Sequence, residues 1–348
     1  MIFLIVVILV LVLIHGYVGF RVIPSLHLST TGHLWFWVLV IGLTFLPLIP
    51  ILLRYRGIEN PWIDKLAWLG YFSLGFFTLA FLITLGADIL WGLERVIYFL
   101  IKATRGSPAG LDPQRRIFLR EITEFGLLTL TAMLSLRGLF EARRKATIFR
   151  VTIPIDHLPA DLEGLRIVQI SDIHVGPTIK RLYVQRIADQ TQSLSPDLIV
   201  LTGDLVDGSA NYLRDDVQPL EQLTAPLGKF FVTGNHEYYS GVDQWIPIVK
   251  SIGFIPLINE HRLVVRGNTT VTFAGITDFT ARQSDPENKP DVEKALADSP
   301  YDSIRILLAH QPGSIEEAAR NQVTLQLSGH THGGQFKPFD WAVKRVHP

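Results

Sequence analysis

Apolar residues recur along this chain in two different rhythms. Over the first 140 residues they form long runs: Met1 to Phe20, Trp35 to Leu53, Leu66 to Trp91 and Phe125 to Phe140. About 20 apolar residues wound as a helix match a hydrocarbon layer roughly 30 Å thick. The pattern therefore predicts about four membrane helices over residues 1–140. The third run is long enough to tilt or to continue along the interface through Ile101; the fourth is short and carries Arg137. Met1 to Phe20 has no basic leader and no small-residue cleavage site before a polar chain, so it reads as a retained helix. Trp35, Trp37, Tyr55, Trp62, Trp68, Tyr71 and Trp91 fall near the predicted span ends, as an aromatic belt would. His15, Asp88, Glu94, Arg95 and Glu124 also lie near span ends, where snorkelling or pairing between helices is expected.

After the basic cluster Arg143-Arg144-Lys145 the rhythm shortens. Residues 141–164 read as a juxtamembrane linker, with Thr147 to Ile155 alternating enough to be a first strand. Residues 165–348 then carry short apolar runs at Leu165 to Ile170, Leu198 to Leu201, Phe230 to Val232, Ile304 to Leu308 and Val323 to Leu327. Runs of this length, bounded by turn residues, predict buried strands. Tyr183 to Ser193, Val217 to Leu223, Asp243 to Ser251, Asp291 to Asp298 and Ser314 to Arg320 read as helices between them. His261 to Arg266 and Thr270 to Ala274 read as a hairpin about Gly267-Asn268. Strands alternating with helices predict an α/β domain.

The strand ends carry the chemistry. Asp172 and His174, Asp204, Asn235, His310, and His330 and His332 each follow one of the five runs. Five strands of one sheet would bring these donors to one edge, where open α/β sheets bind ligands. Carboxylate, amide oxygen and imidazole without any cysteine suit Mn, Fe, Zn or Co. Seven donors exceed one tetrahedral ion; two divalent ions sharing a carboxylate would use them and leave room for water. Asp207 and Glu237 are expected to hydrogen-bond behind the ligands. Asp278 reads as a loop cap, and His157, His261 and His347 as structural or surface residues.

In order and wording, the segments SDIHVG, TGDLVD, GNHEYY, the lone His310 and SGHTHGGQ resemble the calcineurin-like metallophosphoesterase superfamily. The resemblance covers Leu165 to Gln335. It is closest to the bacterial membrane-anchored branch, which holds YaeI- and YkuE-type phosphodiesterases and transmembrane metallophosphoesterases. It implies a four-layer αββα sandwich. It also implies one metal on Asp172, His174 and His332, another on Asn235, His310 and His330, and Asp204 bridging them. His236 would be the general acid or transition-state stabiliser. Members of this branch usually continue through further strands of the second sheet, so the resemblance implies either a chain cut short near Pro348 or a shorter sheet.

Formal net charge is zero, and no basic stripe interleaves with aromatics, so nucleic acid is not an expected partner. The expected partners are a lipid bilayer and a phosphoester, in an inner cell membrane. Basic residues in alternate loops favour a cytoplasmic catalytic domain by one residue only. The tether and the resemblance point to a phosphodiester or pyrophosphate on a lipid-linked molecule, such as a UDP-diacylglucosamine-type lipid A precursor. A general or nucleotide phosphodiesterase is the alternative, and a catalytically idle membrane scaffold the alternative of another class.

Overall fold

The computed structural model describes residues 2–105, 113–334 and 339–346. Met1, Gln335, His347 and Pro348, read above from sequence, lie outside them. The chain divides into two compact units, Met1–Arg144 and Lys145–Pro348.

The first unit is helical: α1 (Ile2–Val22), α2 (Thr30–Phe45), α3 (Leu48–Tyr55), α4 (Pro61–Arg105) and α5 (Pro113–Ala142). Among the described residues, four stretches are long and apolar enough to cross a membrane: Leu4–Leu26, Thr30–Tyr55, Pro61–Thr104 and Glu121–Ala142. The second contains a break where Pro47, lacking an N–H, ends α2 and the chain resumes as α3. α4 starts sharply because the Asn60 side chain accepts from the Trp62 and Ile63 amides at 3.0 and 3.1 Å, with Pro61 at the first helical position. At 45 residues it is roughly 67 Å long at 1.5 Å per residue, twice the hydrocarbon thickness. It outruns Leu66 to Trp91 at both ends because Glu94 and Arg95 do not interrupt backbone hydrogen bonding.

Two of the acids near span ends, Asp88 and Glu124, pair between helices. Arg21 on α1 reaches Asp88 on α4 at 2.7 Å and also bonds Glu124 on α5. Tyr17 donates to the same Asp88. His15 is wholly buried, stacked on Phe77 with ring centroids 4.2 Å apart.

The second unit alternates strands and helices: β1 (Ile167–Ile170), α6 (Arg181–Ser193), β2 (Leu198–Thr202), α7 (Ala210–Val217), β3 (Lys229–Val232), α8 (Asn235–Ser240), α9 (Val242–Ser251), β4 (Ile255–Pro256), β5 (Glu260–Arg266) and β6 (Thr269–Gly275). α10 (Ala281–Ser284), α11 (Val292–Leu296), β7 (Ile304–Leu308), α12 (Ile315–Arg320), β8 (Leu325–Leu327) and α13 (Phe339–Val346) follow. Parallel strands β1-β2-β3-β4 form one sheet. The other has the order β5-β6-β7-β8, with β5 and β6 antiparallel and the rest parallel.

The five donor-bearing strands therefore belong to two sheets, not one. The reason lies in the alternation of fully apolar strands. Leu198 and Val200 of β2 pack with Phe230, Val232, Phe273 and Ile306 between the sheets. Ile199 and Leu201 point the other way, against Val184 of α6, Leu213 of α7 and Trp245 of α9. Behind the second sheet, Ala274 and Leu307 meet Val292, Ala295 and Ala318. Helices, sheet, sheet and helices make four layers.

Two further expectations differ. Residues 147–155 are not a strand. Alternation alone supplies no hydrogen-bonding partner, and Phe149 and Val151 stay 85% and 78% exposed. The helix expected at Val217 to Leu223 lies earlier, at Ala210–Val217; Pro219 then enforces a 3-10 turn over Gln218–Gln222.

Candidate metal centre

All seven predicted donors follow the carboxyl ends of β1, β2, β3, β7 and β8, on the loops except for Asn235, the first residue of α8, and His332, which opens a 3-10 turn. Strands within each of these sets are parallel, so their loops emerge together. Asp172, His174 and His332 place donor atoms within 4.8 Å of one another, and so do Asp204, His310 and His330. A third such group is His174, Asp207 and His236.

Asp204, a member of the second group, also faces His174 of the first. Its Oδ1 accepts from the His236 amide at 2.9 Å. Its Oδ2 lies 3.1 Å from His310 Nε2 and 3.7 Å from His174 Nε2. Asp172 accepts from the His330 amide at 3.0 Å and from the Ser171 hydroxyl, and faces His332 Nε2 at 3.4 Å.

The imidazoles are oriented from behind. His310 Nδ1 donates to the Thr202 carbonyl at 2.8 Å, which leaves its Nε2 as a lone pair aimed at Asp204 Oδ2 and at His330 Nδ1, 3.2 Å away. His174 Nδ1 donates to Asp207 at 3.1 Å, leaving Nε2 facing His332 Nε2 at 3.1 Å. Converging lone pairs repel unless a proton or a metal cation lies between them. An imidazole whose rear N–H is held by a carboxylate or carbonyl is the usual arrangement of a metal-binding histidine. Asn235 opens α8 with its Oδ1 buried and without a hydrogen-bond partner, an orphaned acceptor that a cation would satisfy. The donors present therefore fit divalent metal ions.

The backbone is strained where these residues sit. Asp172, His174, Asp204, His330 and His332 all have φ between 48° and 70°. The left-handed region costs a non-glycine residue on the order of 1 kcal/mol or more, and such strain collects at functional sites. Gly203, at φ +87°, shows why the turn is tight: a Cβ there would lie 2.6 Å from the Gly234 nitrogen and 2.7 Å from His310 Nδ1. At Gly329 a Cβ would lie 1.9 Å from Ser171 Oγ and 2.4 Å from Asp172 Oδ2.

Charge is concentrated here. Burial opposes ionisation of Asp204, but its bond with His310 holds the carboxyl below its usual range. Burial likewise opposes charge on His310, yet Asp204 lifts it to about 9. Asp204 thus demands one positive charge beside it, which a proton or a metal ion can supply. Asp207 is held low despite burial by bonds from both His174 and His236, and His236 is raised foremost by its 2.5 Å bond to Asp207. Burial and the Asp204 charge push Glu237 up to about 7, although its carboxylate accepts from the amides of Gly234, Asp204 and Leu205.

Asp207 and Glu237 thus stand behind the donors and brace them. Asp278 caps its loop, accepting from the Thr280 amide and the Gln311 side chain. His261 bonds the Ala295 carbonyl. Sequence reading missed helix α8 and the Ser171 hydroxyl. The signal for α8 was present: Gly234 followed three positions later by Glu237 is an N-terminal helix pattern in which the acid reaches back to the cap. α8 also sets exposed Tyr239 one turn from His236, with ring centroids 5.5 Å apart.

Residues 165–334 match the calcineurin-like phosphoesterase family profile. A transmembrane protein with metallophosphoesterase domain from Danio rerio is 42% identical over 218 residues, covering 61% of this chain and 50% of that protein. Its Bos taurus counterpart is 37% identical over 270 residues, covering 75% of this chain and 60% of its own length. The chain thus spans little more than half of these vertebrate relatives. An uncharacterized metallophosphoesterase of Aquifex aeolicus is 36% identical over 197 residues, covering 57% of this chain and 74% of that protein.

Proposed function

The chain belongs to the calcineurin-like metallophosphoesterases, hydrolases of phosphoesters that use divalent metal ions, and from that premise we propose a dinuclear phosphodiesterase anchored in a cell membrane. One ion would be held by Asp172, His174 and His332, the other by Asn235, His310 and His330, with Asp204 shared. The observation that carries this reading is Asp204 Oδ2, flanked by His310 Nε2 and His174 Nε2 from the two donor groups. Bound there, two transition ions such as Mn, Fe, Zn or Co would supply Lewis acidity toward phosphate oxygens and acidify a water.

The chain's own residues do the rest. His236 is half-exposed, so it can meet substrate, and its Nδ1 bond to Asp207 raises its affinity for a proton and aims the ring. Its Nε2–H is free of that bond and serves to protonate the departing oxygen. Asp207 also fixes His174, so one carboxylate couples the acid to the first metal group. Apolar helices in the same chain support a membrane-proximal substrate, a phosphodiester or pyrophosphate on a lipid-linked molecule of the UDP-diacylglucosamine type. An intact donor set argues against an idle scaffold.

Turnover of bis(4-nitrophenyl) phosphate with Mn, compared between the parent and Asp204→Ala, tests the reading. The parent should turn over and the variant should not; equal rates would remove Asp204 from the centre.

A further inference from the structure

The segment that begins the second unit is rich in apolar residues, exposed and joined to no strand. Residues 145–155 form no helix, strand, turn or bend. In an extended run, alternate side chains share a face. Phe149, Val151 and Ile153 take alternate positions and are 85%, 78% and 44% exposed, so they would share a face wherever the segment is extended. Arg150 and Thr152 take the positions between them, with Ile148 before. Three apolar residues held in water without a partner mark a surface that something covers.

The chain says what lies within reach. The last candidate span ends at Ala142, and Arg143, Arg144 and Lys145 follow at once. Phe149 is seven residues beyond that end, so it stands at most roughly 25 Å from it however the second unit is turned. The same end of the helical unit carries the marks of a membrane–water interface. Trp62 is exposed with Lys65 Nζ 4.1 Å over its ring, and Arg143 sits 4.8 Å over Trp68. The exposed strip therefore continues, along the chain, from a belt of aromatic and basic residues. Its own flank adds Arg150.

We propose that residues 147–153 form an interfacial strip, with Phe149, Val151 and Ile153 dipping into the headgroup layer of an anionic bilayer while Arg143, Arg144, Lys145 and Arg150 meet its phosphates. The strip would seat the second unit on the membrane surface. This holds whatever the metal centre hydrolyses. Apolar insertion and basic attraction reinforce each other at such a surface, and the attraction fades with salt.

The chain has no cysteine, so single substitutions take one label each. The full chain is placed in nanodiscs of phosphatidylcholine, with or without phosphatidylglycerol. Phe149→Cys, Arg150→Cys, Val151→Cys and Thr152→Cys are labelled with a polarity-sensitive fluorophore, and an unchanged unfolding midpoint certifies each variant. With phosphatidylglycerol, labels at 149 and 151 should be quenched several-fold more by lipid-borne nitroxide than labels at 150 and 152, which should respond to aqueous iodide. The contrast should shrink in phosphatidylcholine alone and at molar salt. Equal quenching of all four labels by iodide would overturn the proposal. So would a contrast indifferent to phosphatidylglycerol, or shielding from both quenchers in a chain that runs as a dimer.

Discussion

His236 and Gly203 separate two kinds of necessity at the centre. His236 is proposed to act on the departing oxygen, so removing it should spare the metals. His236→Ala should keep its metal content yet lose roughly a hundredfold or more in turnover, as loss of a general acid does. The loss should be smaller for a nitrophenolate than for an alkoxide leaving group, since a stable anion needs no proton. Equal losses on both would remove His236 from that role. Gly203 does no chemistry; it lets β2 turn into the site. A methyl group there meets the Gly234 backbone at 2.6 Å and is held at φ +87°. Gly203→Ala should destabilise the second unit by roughly 2 to 4 kcal/mol, the sum of left-handed backbone cost and overpacking. Thermal unfolding followed by tryptophan fluorescence would show it, and a variant as stable as the parent would mean that the turn relaxes.

At the scale of elements, the first unit is joined by one guanidinium. Arg21 ties α1 to Asp88 on α4 and to Glu124 on α5. Its side chain is 20% exposed and that of Asp88 33%, which discounts that pair, whereas Glu124 at 6% is buried and keeps more of the cost. Arg21→Ala should lower the stability of the helical unit in detergent by roughly 1 to 3 kcal/mol, read as a lower unfolding midpoint, with small-diester turnover unchanged. A midpoint equal to the parent's would make the pairing incidental. Long apolar runs made these helices legible, because about 20 apolar residues suffice to cross the hydrocarbon layer whatever they pack against, although α4 runs well past that length. The strands at Leu198 and Ile304 were legible for a similar reason: short apolar runs closed by turn residues. What alternation could not reveal was partnership. Leu198 and Ile199 look alike in sequence, yet one faces the other sheet and the other faces helices. Nor could it distinguish Thr147 to Ile155 from a paired strand, because pairing depends on a neighbour and not on the segment.

Across the whole molecule, the donors come from one unit alone. None precedes Asp172, and each stands where a strand ends, so donor identity and order could be read from sequence while the two-sheet geometry that joins them could not. β1, β2 and β3 bring Asp172, His174, Asp204 and Asn235; β7 and β8 bring His310, His330 and His332. Neither sheet alone assembles the site, and Asp204 is where their contributions meet. Two ions are therefore proposed to share this carboxylate. Elemental analysis of the purified full chain, set beside its activity, tests this sharing most directly. The parent should hold two transition ions per active chain, and Asp204→Ala should lose both together, since the shared carboxylate serves each. One tightly bound ion in a fully active chain, or an Asp204→Ala variant that keeps both ions, would contradict it.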